Sequence, residues 1–115
     1  MKLREIIHIL EGKVVSDHAN LDVEIPCAAG ADLMSDVLAF GRPGAVLLTG
    51  LTNPQVVRTA EIADMAAIVF VRGKVPPPET IALAKEKGIP LITVPYTLFE
   101  MCGRLYERGM ASCDL

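Results

Sequence analysis

Residues 45–64 read AVLLTGLTNPQVVRTAEIAD, and the same order of parts returns in residues 66–88, AAIVFVRGKVPPPETIALAKEKG, and 89–109, IPLITVPYTLFEMCGRLYERG. In each, an apolar run of strand length passes through a short polar loop into a segment whose apolar residues recur at helical spacing. A crossover helix lets the next strand start in the same direction, so the three units predict a parallel sheet. Their loops then share the carboxyl edge of that sheet, where open α/β proteins bind ligands. The spacing is that of generic strand-plus-helix units and not of a solenoid repeat.

The local signals agree along this stretch. Ala45 to Leu48 and Ala67 to Val71 are continuous apolar runs, as strands covered on both faces should be. Asn53 is an N-cap with Pro54 at the first helical position, and Val56, Val57, Ala60 and Ala63 fall on one side of the helix that follows. Arg72-Gly73-Lys74 turns the chain, and Pro76 to Pro78 stiffens the entry to a helix that ends at Gly88. Ile89 to Val94 is the last strand. Thr97 and Glu100 have capping-box spacing for a final helix with Leu98, Met101, Cys102 and Leu105 inward, ended by Gly109.

The front of the chain is less regular. Leu3, Ile6, Ile7 and Leu10 mark an amphipathic helix stopped at Gly12, followed by a short strand over Lys13 to Ser16 and a polar loop over Asp17 to Leu21. Val23 to Cys27 reads as a second strand, and Asp32 as the N-cap of a helix with Leu33, Val37, Leu38 and Phe40 on its apolar side. Residues 110–115 read as a flexible tail. The expected fold class is therefore α/β: one domain over 1–115, a three-layer sandwich with a mostly parallel sheet and helices on its faces.

Composition narrows the function classes. A chain of 115 residues, 51% hydrophobic and 22% charged, holds one core. A net charge of -3 with scattered Lys and Arg leaves no basic field, so neither nucleic acid nor an anionic membrane is an expected partner. The start MKLREIIHILEGK resembles no secretory leader, and the expected location is cytoplasmic. Cys27, Cys102 and Cys113 share no CxxC spacing; we read Cys27 and Cys102 as packed thiols and Cys113 as an exposed one, with no disulfide framework. His8 and His18 lack a third ligand, and Asp17, Asp22 and Glu24 read as a solvated acidic edge, so no metal and no cofactor is implied.

Candidate binding residues cluster in the three loops. Thr49, Gly50, Thr52 and Asn53 join a strand to a helix N-terminus, whose amides and dipole suit phosphate or carboxylate, without the spacing of either glycine-rich phosphate motif. Arg72 and Gly73 end the next strand, where a guanidinium can close on an anion. Thr93, Tyr96 and Thr97 end the third and add hydroxyls and an aromatic face. No Ser or Cys has an assigned base, which favours a binding module over an enzyme.

With these residues in place, the chain resembles a stand-alone DRTGG domain, a module related to the N-terminal domain of HPr kinase/phosphorylase. The likeness runs from about Gly12 to Met110 and rests on Ala31-Asp32-Leu33-Met34-Ser35-Asp36-Val37-Leu38, Ala45-Val46-Leu47-Leu48-Thr49-Gly50, Ala67-Ile68-Val69-Phe70-Val71-Arg72-Gly73, and Gly88-Ile89-Pro90-Leu91-Ile92 leading to Tyr96-Thr97-Leu98-Phe99-Glu100. Relatives often carry Gly-Asp-Arg where this chain has Leu51-Thr52-Asn53, and Thr-Gly-Gly where it has Val71-Arg72-Gly73. The resemblance implies a regulatory or ligand-sensing module that self-associates, expected as a homodimer, and the loop geometry adds the expectation of a non-catalytic module that binds an anionic metabolite or nucleotide at the carboxyl edge of its sheet. A protein–protein adaptor without a small ligand is the alternative it leaves, and a small phosphotransfer or hydrolytic enzyme the lesser one.

Overall fold

The computed structural model describes residues 1–16 and 20–113. Strands β1 (Lys13–Val14), β2 (Ala28–Gly30), β3 (Val46–Thr49), β4 (Ala67–Phe70) and β5 (Leu91–Thr93) form one sheet in the order β1-β5-β4-β3-β2. Strands β2 to β5 are parallel, and β1 joins β5 antiparallel. The helices are α1 (Leu3–Ile9), α2 (Met34–Phe40), α3 (Pro54–Ile62), α4 (Pro78–Lys87) and α5 (Leu98–Glu107). This is the expected mostly parallel α/β architecture.

Strand alternation divides the apolar residues between two helix layers. Leu47, Ile68, Phe70 and Leu91 meet Val37 of α2, Val56, Val57 and Ala60 of α3 and Ala84 of α4. Val46, Leu48, Ala67, Val69 and Ile92 meet Leu3, Ile6 and Leu10 around α1 and Met101 and Leu105 of α5. Every residue of β3 and β4 is buried, which is why both strands read as unbroken apolar runs. Pro54 occupies the first turn of α3, and Gly88 takes the left-handed conformation (φ 70°) that closes α4. Thr97 caps α5 by accepting from the Glu100 amide at 3.3 Å, while the Glu100 carboxylate turns away to Arg104 at 3.0 Å, so only half of the expected capping box forms.

The front third departs from expectation. The strand that pairs with β3 is Ala28–Gly30, not 23–27; Glu24 makes only an isolated bridge to Lys2. Small residues are needed there because α5 crosses close by: a Cβ on Gly30 would lie 2.9 Å from the Cys102 sulfur. Gly12 has a similar reason, a Cβ there falling 2.7 Å from Ile92 Cγ2, whereas the positive φ after α1 belongs to Glu11 at 52°. Helix α2 begins after Leu33, not Asp32, and of its expected apolar side only Val37 is buried; Leu33, Leu38 and Phe40 are exposed. Asp22 accepts from Arg4 at 3.2 Å, a hydrogen bond and charge that hold its carboxyl below the usual range, and Glu24 meets the amino terminus at 3.3 Å. Residues 17–19, with Asp17 and His18, lie outside the described residues.

The cysteine reading is overturned. Cys27 and Cys113 form a disulfide, both buried, across a sequence separation of 86 residues. With them the tail expectation fails for 110–113: Met110 is buried, Ala28 N–H donates to Ala111 O at 2.9 Å, and Cys113 N–H donates to Ala28 O at 3.0 Å. The physical reason is an open sheet edge. Residues 111–113 run parallel to β2 and satisfy backbone groups that β3 cannot reach. Cys102 stays free and half-buried, and burial pushes its thiol above the usual value.

Candidate functional site

Four loops meet at the carboxyl edge of β2 to β5, and long-range hydrogen bonds tie them together. The Gly50 peptide is gripped from both sides: its N–H donates to Asp32 Oδ1 at 2.8 Å, and its carbonyl accepts from Lys74 Nζ at 2.9 Å. Asp32 also accepts from the Thr49 hydroxyl at 2.8 Å, and the same hydroxyl accepts from Leu51 N–H at 3.2 Å. Asp32 thus acts across 17 residues as a clamp on the next strand's loop, the reason it does not cap α2.

The loop after β4 is fixed to the loop after β5. Arg72 N–H donates to Tyr96 O at 2.8 Å and Gly73 N–H to Val94 O at 2.7 Å. Thr93 Oγ1 donates to Lys74 O at 2.8 Å, and Thr80 Oγ1 of α4 to Thr52 O at the same distance. These bonds hold Arg72 at φ 55°, a left-handed conformation that a residue with a Cβ adopts only when its surroundings impose it. Its side chain stands in solvent, while the half-buried Lys74 two residues on reaches back to Gly50, so one tight turn carries two cations, one of them engaged.

The sequence-predicted residues therefore gather at one edge but differ in what they offer. Thr49 is fully buried and its hydroxyl is engaged, so it supports the loop from below. Thr93 is half-buried and likewise engaged. Gly50 and Thr52 are half-buried, and Asn53 is exposed at the start of α3 without a side-chain cap bond, leaving its amide group to solvent. Arg72 and Gly73 are exposed. Thr97 is occupied in capping α5, and Tyr96 carries the Arg104 guanidinium 3.9 Å from its ring centroid, an arrangement that covers one aromatic face with positive charge.

From Thr97 an open groove of about 500 Å³ continues along the outside of α5, bounded by Phe99, Glu100, Gly103, Arg104 and Glu107. Phe99 is 90% exposed at its mouth. Asp32 and Arg104 are the working residues that local sequence reading does not assign to the edge, since each acts through a partner elsewhere in the chain, whereas Lys74, read at this edge with Arg72 and Gly73, is found bonded to the Gly50 carbonyl. Among the described residues no group of three or more His, Cys, Asp or Glu could hold a metal ion.

Comparison with known proteins adds two findings. The DRTGG domain family model matches residues 5–107. A solved structure, the CBS and DRTGG domains of the regulatory region of Clostridium perfringens pyrophosphatase in complex with its activator diadenosine tetraphosphate, superposes with a TM-score of 0.76 at 18% identity over 90% of this chain. The match spans 45% of that structure's chain. No curated protein matches the sequence.

Proposed function

Because this chain belongs to the DRTGG domain family, we propose that it is a regulatory, ligand-sensing module that binds an anionic metabolite, most simply a nucleotide, at the carboxyl edge of its sheet. The observation that carries this reading is the Arg72–Lys74 turn: two cations on a backbone held left-handed by the neighbouring loop, beside the uncapped start of α3. A polyphosphate placed there meets amides of α3, the Arg72 guanidinium and, on release from Gly50, the Lys74 ammonium. Tyr96 under Arg104 and the groove beyond Thr97 then lie next to the phosphates, where a base or sugar would extend. The nucleotide activator of the clostridial regulatory region supports the ligand class, and no nucleophile–base pair asks for an enzymatic reading.

A thermal-shift screen over mono-, di- and dinucleoside polyphosphates tests it. A ligand at about a hundred times its dissociation constant adds roughly 2.7 kcal/mol to native stability, a clear rise in melting temperature. Arg72→Ala is expected to weaken the best hit by about tenfold or more, the loss of a charge-assisted contact. A hit indifferent to Arg72→Ala removes that residue from the site; no hit among phosphates moves the assignment to the adaptor.

The homodimer belongs to the same reading. Phe99 and Tyr106 stand exposed on the outer side of α5 and offer apolar surface to a second copy. Sedimentation equilibrium should find two chains per particle at about tens of micromolar, the scale of weak specific association. Monomer alone at that concentration would remove the dimer from the proposal and leave the ligand site standing.

A further inference from the structure

We propose that Cys27 and Cys113 form a reversible redox latch: oxidised, it clamps residues 111–113 along β2, and reduced by a dithiol, it lets that strap leave and opens the sheet edge. Three observations meet here. The strap is short and lightly held, with two backbone hydrogen bonds to Ala28 and one disulfide. Ala111 and Ser112 are exposed, so the strap opens from its solvent side and draws the Cys113 sulfur out of the edge of the layer where it packs with Cys27. The strap also forms a wall of a cavity of about 120 Å³ whose other side is Ala28, Gly30 and Cys102. When 111–113 depart, that cavity becomes part of an open edge, and Ala28 regains a free N–H and carbonyl.

The chemistry balances as thiol–disulfide exchange. One thiolate of the dithiol attacks a latch sulfur, breaking the Cys27–Cys113 bond and forming a mixed disulfide; its second thiol then displaces the remaining protein sulfur. The protein gains two electrons and two protons and ends with two thiols, while the reductant leaves as its own disulfide. Cys102 does not compete in this exchange. It packs with the α1 and α5 layer, whereas Cys27 and Cys113 belong to the opposite face of the sheet, and its burial disfavours the thiolate that would attack. In a reducing compartment a disulfide of this kind acts as a sensor more often than as a permanent staple.

Hydrogen exchange read by mass spectrometry on the full chain, oxidised in air and then reduced with excess dithiothreitol, decides the matter. The amides of Ala28 and Cys113 should exchange about tenfold faster or more after reduction, while those of β3 and β4, although faster for the lost cross-link, remain the slowest among the described residues, because opening is local. Cys113→Ser without reductant should reproduce the reduced pattern. The proposal is overturned if the two amides keep their protection on reduction, if β3 and β4 come to exchange as fast as those two, if the disulfide survives prolonged native exposure to the dithiol, or if alkylation of the air-oxidised chain labels all three cysteines. Should the variant fail to fold, the comparison of oxidised and reduced native chain still gives each of these outcomes.

Discussion

Phe70→Ala is expected to lower the stability of the folded chain by about 3–5 kcal/mol, read as a fall in the urea midpoint. Phe70 is fully buried, while Phe40, Phe99 and Tyr106 are exposed and Tyr96 half-covered, so a single ring supplies the aromatic filling of the interior. It ends β4 in register with Thr49 and Thr93, and its carbonyl accepts from Val94 N–H at 3.0 Å. The ring fills the layer shared with α2, α3 and α4, where alanine would leave a cavity between close-packed elements. The same change loosens the floor beneath Arg72, two residues on. A loss below about 1 kcal/mol would mean that the helix layer collapses onto the smaller side chain and that the interior is softer than its burial implies.

Removing the disulfide ranks next. The double variant Cys27→Ala with Cys113→Ala is expected to be less stable by about 2–5 kcal/mol, since the cross-link closes a long loop and restrains the unfolded chain across most of its length. Chemical denaturation of the variant against the oxidised chain, at equal protein concentration, gives the number. A domain of ordinary stability survives such a loss, so the variant should still unfold cooperatively. An unchanged midpoint would show that the denatured ensemble is already compact enough for the link to restrain nothing.

The back half of the fold was legible because its determinants are local. The apolar runs of β3 and β4, Pro54 at the head of α3, Gly88 behind α4 and the hydroxyl of Thr97 each act within a few residues of where they are read. Ala28-Ala29-Gly30 carries no such mark. It is a strand because β3 lies on one side, the strap on the other, and α5 passes too close for larger side chains. Asp32 misleads for a related reason: a short carboxylate ahead of a helix resembles a cap, and only the assembled sheet brings the Thr49 hydroxyl and Gly50 amide within its reach. The Cys27–Cys113 pair is hidden for the same cause, its partners meeting only when the last turn of chain returns to the second strand.

The candidate site divides along the same line. That Thr49 to Asn53, Arg72–Gly73 and Thr93 to Thr97 share one edge follows from the right-handed parallel crossover and needs no side-chain detail. Which of them still has a free group does not follow. Thr49 and Thr93 spend their hydroxyls on Asp32 and on the Lys74 carbonyl, whereas Arg72 keeps its guanidinium in solvent. Hydrogen-bond partners separated by 17 to 24 residues decide that division, and sequence spacing does not record them.

The two flanks of the sheet carry a further consequence, for the behaviour of many copies together. A flank strand with unpaired amides is a template on which another chain can add a strand, and repeated addition yields fibrous aggregates. Here one flank is β1, two residues long with Lys13 exposed, and the other is β2, whose Ala28 N–H and carbonyl are already taken by residues 111–113. Among the described residues neither leaves a run long enough for cross-chain growth, so the buried aliphatic strands are shielded from strand addition at both sides, with residues 111–113 as the guard of one.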